Sequence, residues 1–200
     1  MIRNTGLLLL ALTLVAGSAS AGMTPGSGAL FVNLNYALGK LADTGESVDG
    51  GFVVVEYQKM DWSNPVSFGF SVGYGEINDV AAADSSRANY SFSSIPVYLG
   101  GKYWLGEEKI QGFIGVMFGM YFSQLTRSIS YEYEGLDDGS YTSETATNFG
   151  LGFPVGVSVS ISDKMMLNAS YTLNWLWDNP FLDNDLLHAF GVGVGFSFGP

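Results

Sequence analysis

The stretch Leu186-Leu187-His188-Ala189-Phe190-Gly191-Val192-Gly193-Val194-Gly195-Phe196-Ser197-Phe198 decides the architecture. Successive side chains of a β-strand point to opposite faces. The even positions Leu186, His188, Phe190, Val192, Val194, Phe196 and Phe198 therefore share one face, apolar apart from the histidine. From Ala189 onward the odd positions Gly191, Gly193, Gly195 and Ser197 form a face of small residues. A broad apolar face suits lipid. Backbone groups in hydrocarbon have no water to bond, and among sheets only a closed one leaves no edge unpaired there. The segment reads as one strand of a transmembrane β-barrel.

Working outward, the same period of two recurs. Phe149, Leu151, Phe153, Val155, Val157, Val159 and Ile161 alternate with Gly150, Gly152, Pro154, Gly156, Ser158 and Ser160. Over 28–40, Leu30, Val32, Leu34, Tyr36 and Leu38 alternate with Phe31, Asn33, Asn35 and Ala37. Further strands are expected around 53–58, where Glu56 points inward, and at 68–75. Strand four spans about 89–105, with Tyr98, Lys102 and Trp104 inside. Strand five spans 109–123, with Ile114, Val116, Phe118 and Met120 toward lipid. Strand seven follows around 167–175. The reading is all-β: an eight-stranded antiparallel up-and-down transmembrane barrel. Polar, acidic loops are expected at Leu41–Gly50, Asn78–Ala88, Gln124–Asn148 and Asp178–Asp185, alternating with three short turns. That alternation fits an even-stranded barrel with short turns and both chain ends in the periplasm and long loops outside.

The amino terminus reads as an export signal at residues 1–21, with Arg3, the apolar run Leu7–Val15 and Ala19-Ser20-Ala21 before the cut. The barrel domain is then 22–200. The run is too short for a helical span. No cysteine exists to form disulfides or to carry a lipid after the cut. Eight Lys and Arg against nineteen Asp and Glu give a formal charge of −11. With no basic patch to neutralise phosphates, nucleic acid is excluded as a partner. Aromatic residues sort by height into two girdles. Trp62, Phe68, Tyr103, Trp104, Phe196 and Phe198 lie near one rim. Tyr36, Tyr74, Tyr90, Phe92, Phe122, Phe149, Trp175 and Trp177 lie near the other.

The signal, the eight alternating strands, the run Ser94-Ile95-Pro96-Val97-Tyr98-Leu99-Gly100-Gly101-Lys102-Tyr103 and the ending Phe196-x-Phe198 together carry a likeness. Over 22–200 the chain resembles the small eight-stranded outer-membrane barrels of the OmpA/OmpX type, with the OmpW-like group close by. The resemblance implies the cell outer membrane, its lipid and lipopolysaccharide as surroundings, and a C-terminal aromatic recognised by the barrel-assembly machinery. Phe196 and Phe198 hold that place, although Gly199-Pro200 follows where the family usually ends on the aromatic.

An eight-stranded barrel has an interior only wide enough for side chains. Glu56 and Lys102 are expected to pair inside it, since burying either charge alone costs several kcal/mol. The pair reads as structural, or as a gate. Phe113, Met117 and Tyr121 read as interior packing, or as contacts for a small apolar molecule of the kind the OmpW-like resemblance implies. Pro96 and Pro154 lack a ladder N–H and imply a bulge or a local opening. His188 is the one histidine. His188-Ala189-Phe190 lacks the serine of the His-x-Ser pair that lipid A deacylases on a similar scaffold carry, so no catalytic residue is assigned and His188 reads as a rim residue. Asp137-Asp138-Gly139 and Asp183-Asn184-Asp185 read as turn chemistry, with a calcium or magnesium site as the alternative. No cofactor or metal is assigned. The functional reading is a non-enzymatic integral outer-membrane protein acting structurally or through its acidic loops, with a narrow pore or carrier for small apolar solutes as the alternative.

Overall fold

The structure, a computed structural model, describes residues 23–40, 47–83, 86–106, 109–131 and 140–199. Eight strands follow one another: β1 (Gly28–Lys40), β2 (Ser47–Met60), β3 (Val66–Ala83), β4 (Ser86–Leu105), β5 (Ile110–Tyr131), β6 (Ser140–Ser162), β7 (Met165–Leu176) and β8 (Leu186–Phe198). Each pairs antiparallel with its neighbour, and β1 pairs with β8 from Gly28–Phe198 to Leu38–His188, which closes the sheet. The eight-stranded up-and-down barrel read from the sequence is the fold. No described helix is long and apolar enough to cross a membrane.

Alternation sorts the side chains as the sequence requires. Leu99 is 67 % exposed on the outer surface, whereas its neighbour Tyr98 is 5 % exposed in the lumen. The phase of β5 follows the same rule, with Ile114 and Phe118 outside and Phe113 and Tyr121 buried. Inside, large rings lie against strand positions that have no side chain. Phe31 covers Gly195, Phe52 covers Gly75 and Phe113 covers Gly156, each within 2.6 Å of where a Cβ would stand.

The start of β1, the end of β8 and the turns after β2, β4 and β6 share one end of the barrel, here the near end. At the opposite, far end the strand lengths correct the expected loops. β3 continues past its last rung with β2 (Asp49–Asn78), and β6 begins before its first with β7 (Gly150–Leu176). Between them β3, β4, β5 and β6 run on as a four-stranded sheet to the rungs Ala83–Ser86, Ser86–Tyr131 and Ile129–Ser140. Most of the loops placed at Asn78–Ala88 and Gln124–Asn148 is therefore ladder. Serines and threonines there keep an extended backbone without a continuous apolar face.

The girdles need two corrections. Trp104 and Phe92 are 3 % and 2 % exposed and belong to the lumen. Trp62, Phe68, Tyr103 and Phe198 remain on the outside near one rim, and Tyr36, Tyr74, Phe122, Phe149 and Trp175 near the other. The side chain of Tyr90 lies outside the described residues.

Candidate functional site

The prolines locate the interior site. Pro96 and Pro154 both point into the lumen and are buried. β3 and β4 pair at Val72–Val97 and again at Gly75–Ser94, but the two rungs between, Gly73–Pro96 and Tyr74–Ile95, are missing. β5 and β6 pair at Ile114–Val155 and at Met117–Gly152, and Gly115–Pro154 and Val116–Phe153 are missing. Register is unchanged across both gaps, so the prolines open the ladder without bulging it. The single register shift among the described strands lies at Ser160/Ser162.

At this height lies a chamber of about 70 Å³. That is well below the roughly 300 Å³ at which small-molecule pockets begin. One wall is polar, formed by Asn33, Asn35, Asn168, Ser170, Thr172 and Asn174. The opposite wall is Phe113, Met117, Tyr121 and the two prolines, and Glu56 and Lys102 complete it. The five residues singled out in the sequence thus line one chamber.

Glu56 and Lys102 are 6 % and 4 % exposed and form an ion pair. They sit on β2 and β4 and meet across β3, whose inward row of Ser67, Gly69, Ser71 and Gly73 is too small to keep them apart. Gln58 donates to the same Oε1 of Glu56 at 2.7 Å. Ser67 donates to Gln58 at 2.7 Å, and the Trp104 indole N–H donates to Ser67 at 2.8 Å. The Lys102 ammonium also lies 4.5 Å from the centre of the Phe113 ring. A buried pair is tolerable only when further partners satisfy it, and this chain supplies them. The roles of Gln58 and Ser67 in it were not read from the sequence. The available signal was the polar inward position of each beside an inward charge.

Two apolar layers flank the chamber. The near layer comprises Met23, Ala29, Phe31, Met60, Trp104, Phe113 and Met166. The far layer includes Ala37, Val48, Phe52, Ile77, Phe92, Tyr98, Tyr121, Leu176 and Leu187, with Phe181 and Leu182 from the β7–β8 connection. That connection folds into the mouth around Asn179, whose Oδ1 accepts from the N–H groups of Phe181 (2.9 Å) and Leu182 (3.2 Å). Asn148 on β6 anchors it by donating to the carbonyls of Trp177 and Asp178. This closure was not foreseen. Its signal was Phe181-Leu182, two adjacent large apolar residues in a loop otherwise rich in Asp and Asn.

His188 lies on the outer surface, where its Nδ1 is 2.8 Å from the Tyr171 hydroxyl on β7. Its partner is a neighbouring strand, not a loop. Asp137-Asp138-Gly139 lies outside the described residues. The Asp185 carboxylate accepts from the N–H of Asn179 at 3.1 Å, a turn contact. No cluster of three or more metal-ligating side chains occurs among the described residues.

The family defined as the outer membrane protein beta-barrel domain matches residues 7–198. The chain belongs to this outer-membrane barrel family. It is accordingly a protein of the outer membrane, with a lipid-facing exterior. No curated protein matches the chain. Among solved structures this outer-membrane barrel is similar to Neisserial surface protein A, with 17 % identity, 86 % of this chain and 99 % of that one covered, and a TM-score of 0.58. It is also similar to OprG of Pseudomonas aeruginosa (10 % identity, 90 % and 99 % covered, TM-score 0.54) and to Ail, the attachment invasion locus protein of Yersinia pestis (14 %, 88 % and 100 %, 0.51). At these identities the likeness is one of fold.

Proposed function

We propose that this outer-membrane barrel is a non-enzymatic surface protein that holds a partner at its far end, with that end outside the cell and both termini in the periplasm. The observation that carries the reading is the one-sided extension of β3 to β6 beyond the barrel rim. Among the described residues its outer strands have ladder groups with no partner strand, and such edges pair readily with another chain. The partner class follows from charge. Ail has been solved with the heparin analogue sucrose octasulfate, whereas here the exposed far-end residues include Asp49, Glu76, Glu144 and Asp178. A basic protein surface complements them, and divalent cations bridge them to anionic lipopolysaccharide. Assembly into the membrane is assigned to recognition of the C-terminal strand through Phe196 and Phe198.

An epitope inserted after residue 135 tests the orientation. Antibody binding to intact cells supports it, and binding only after permeabilisation overturns it. Shortening the β3–β4 and β5–β6 hairpins to the barrel rim then tests the role. Loss of attachment to surfaces coated with a basic protein is expected, with the barrel still folded.

The ladder gaps favour a second reading, a narrow pore or a carrier for small apolar solutes, because both gaps open beside the chamber. Single-channel recording of the refolded protein and of Glu56→Gln decides it. Steps altered by the variant support transport, and silence from folded protein removes it.

A further inference from the structure

Residues 23–27 precede β1, and Met23, Gly26 and Ser27 are buried there while Thr24 and Pro25 are exposed. The Met23 side chain is 2 % exposed within the near layer, against Phe31, Met60, Trp104, Phe113 and Met166. Its peptide is held from both sides by one side chain. The Met23 N–H donates to Gln111 Oε1 at 2.8 Å, and Gln111 Nε2 donates to the Met23 carbonyl at 3.1 Å. A strand neighbour offers a peptide the same donor and acceptor, and here a carboxamide on β5 supplies them.

The rest of the segment is shaped to fit. Thr24 and Ser27 close a turn, with the Ser27 N–H and hydroxyl both donating to the Thr24 carbonyl. Gly26, at φ +79°, lies under the Trp62 ring, where a Cβ would stand 2.3 Å from a ring carbon. Lys59 donates to the Gly26 carbonyl.

We propose that the near mouth of the barrel is a binding site for the chain's own amino-terminal segment, and that Met23 is a removable stopper whose seat is Gln111. Phe113 belongs both to the near layer that holds Met23 and to the chamber wall. Withdrawal of Met23 therefore thins the layer between the near mouth and the chamber, in which Phe31, Trp104 and Phe113 remain below the Glu56–Lys102 pair. The two closures are unequal. The far one draws in a loop through two buried side chains and contacts from Asn148 and Asn179, whereas in the near one Met23, seated on Gln111, is the one member of the layer that lies outside the strands. Access to the chamber is from the near end.

The chain has no cysteine, so a single thiol reports on the chamber. Ser71→Cys places it on the chamber wall, and labelling by 2-aminoethyl methanethiosulfonate is timed in nanodiscs. Adding Gln111→Ala, which removes both hydrogen bonds, is expected to speed labelling about tenfold, the factor that loss of about 1.4 kcal/mol of seating corresponds to. Met23→Ser, which leaves the barrel wall intact, is expected to do the same. Asn179→Ala, at the far closure, is expected to speed labelling less than either of these variants because Phe181 and Leu182 still fill that mouth. Heat-modified migration in detergent gels checks that each barrel is closed. Parent-like labelling in the folded Gln111 and Met23 variants overturns the proposal, as does faster labelling with Asn179→Ala than with either.

Discussion

The two halves of the lumen solve one packing problem with different materials. In the near half the strands project Trp104, Ser67, Gln58, Glu56 and Lys102 into a bonded chain among aromatic rings, so a charge pair is buried where donors already converge. In the far half the strands contribute apolar side chains, and a loop adds Phe181 and Leu182 to complete a dry layer. Lipid outside is as apolar as either layer, so burial against it gives little drive to association. Specificity must come from shape and from polar contacts. The near half uses polar contacts. The far half relies more on shape, with Asn148 and Asn179 positioning the loop and Asn174 bonding the Tyr98 hydroxyl and the Leu187 carbonyl between strands.

Breaking the charge balance gives the largest difference between the halves. Lys102→Met strands the Glu56 carboxylate and is expected to cost about 3–5 kcal/mol, read as the urea midpoint of refolded protein by tryptophan fluorescence. Glu56→Gln with Lys102→Met is expected to recover most of it. A loss below about 1 kcal/mol in the single variant would show that the near half does not depend on the pair.

Overfilling comes next. In Gly156→Val the first added carbon meets the Ala169 carbonyl at 2.4 Å and the Phe113 ring at 2.6 Å, and about 1–3 kcal/mol is expected in the same titration. The far closure is less costly to weaken. Asn179→Ala removes the acceptor shared by Phe181 and Leu182 and is expected to cost about 1–2 kcal/mol. Replacing the exposed Thr142 or Glu144 of the extension by Ala is expected to move the midpoint by about 0.5 kcal/mol at most, which separates the sheet outside the membrane from the barrel within it.

The same contrast explains what was legible beforehand. Wherever one face meets lipid and the other the lumen, as from Leu30 to Leu38 or Phe149 to Ile161, the period of two is plain. Inward Glu56 and Lys102 could be matched because a small row separates them. Beyond the rim successive side chains of β6 are exposed whichever way they point, the period disappears, and residues such as Thr142, Thr145 and Thr147 read as loop although they pair with β5. The closures were hidden for another reason. Met23, Phe181 and Leu182 lie outside regular strands, and their burial depends on where the chain returns to the barrel, which no local pattern encodes.

The proline gaps have a consequence best put in the language of crystals. A bulge is a dislocation, since every row beyond it is displaced by one site. The gaps at Pro96 and Pro154 are vacancies, since two rungs are missing and the rows on either side remain in phase. Inward and outward faces therefore keep their assignment from rim to rim in β4, and in β6 as far as Ser160. The wall can carry two weak seams without any lipid-facing residue changing sides.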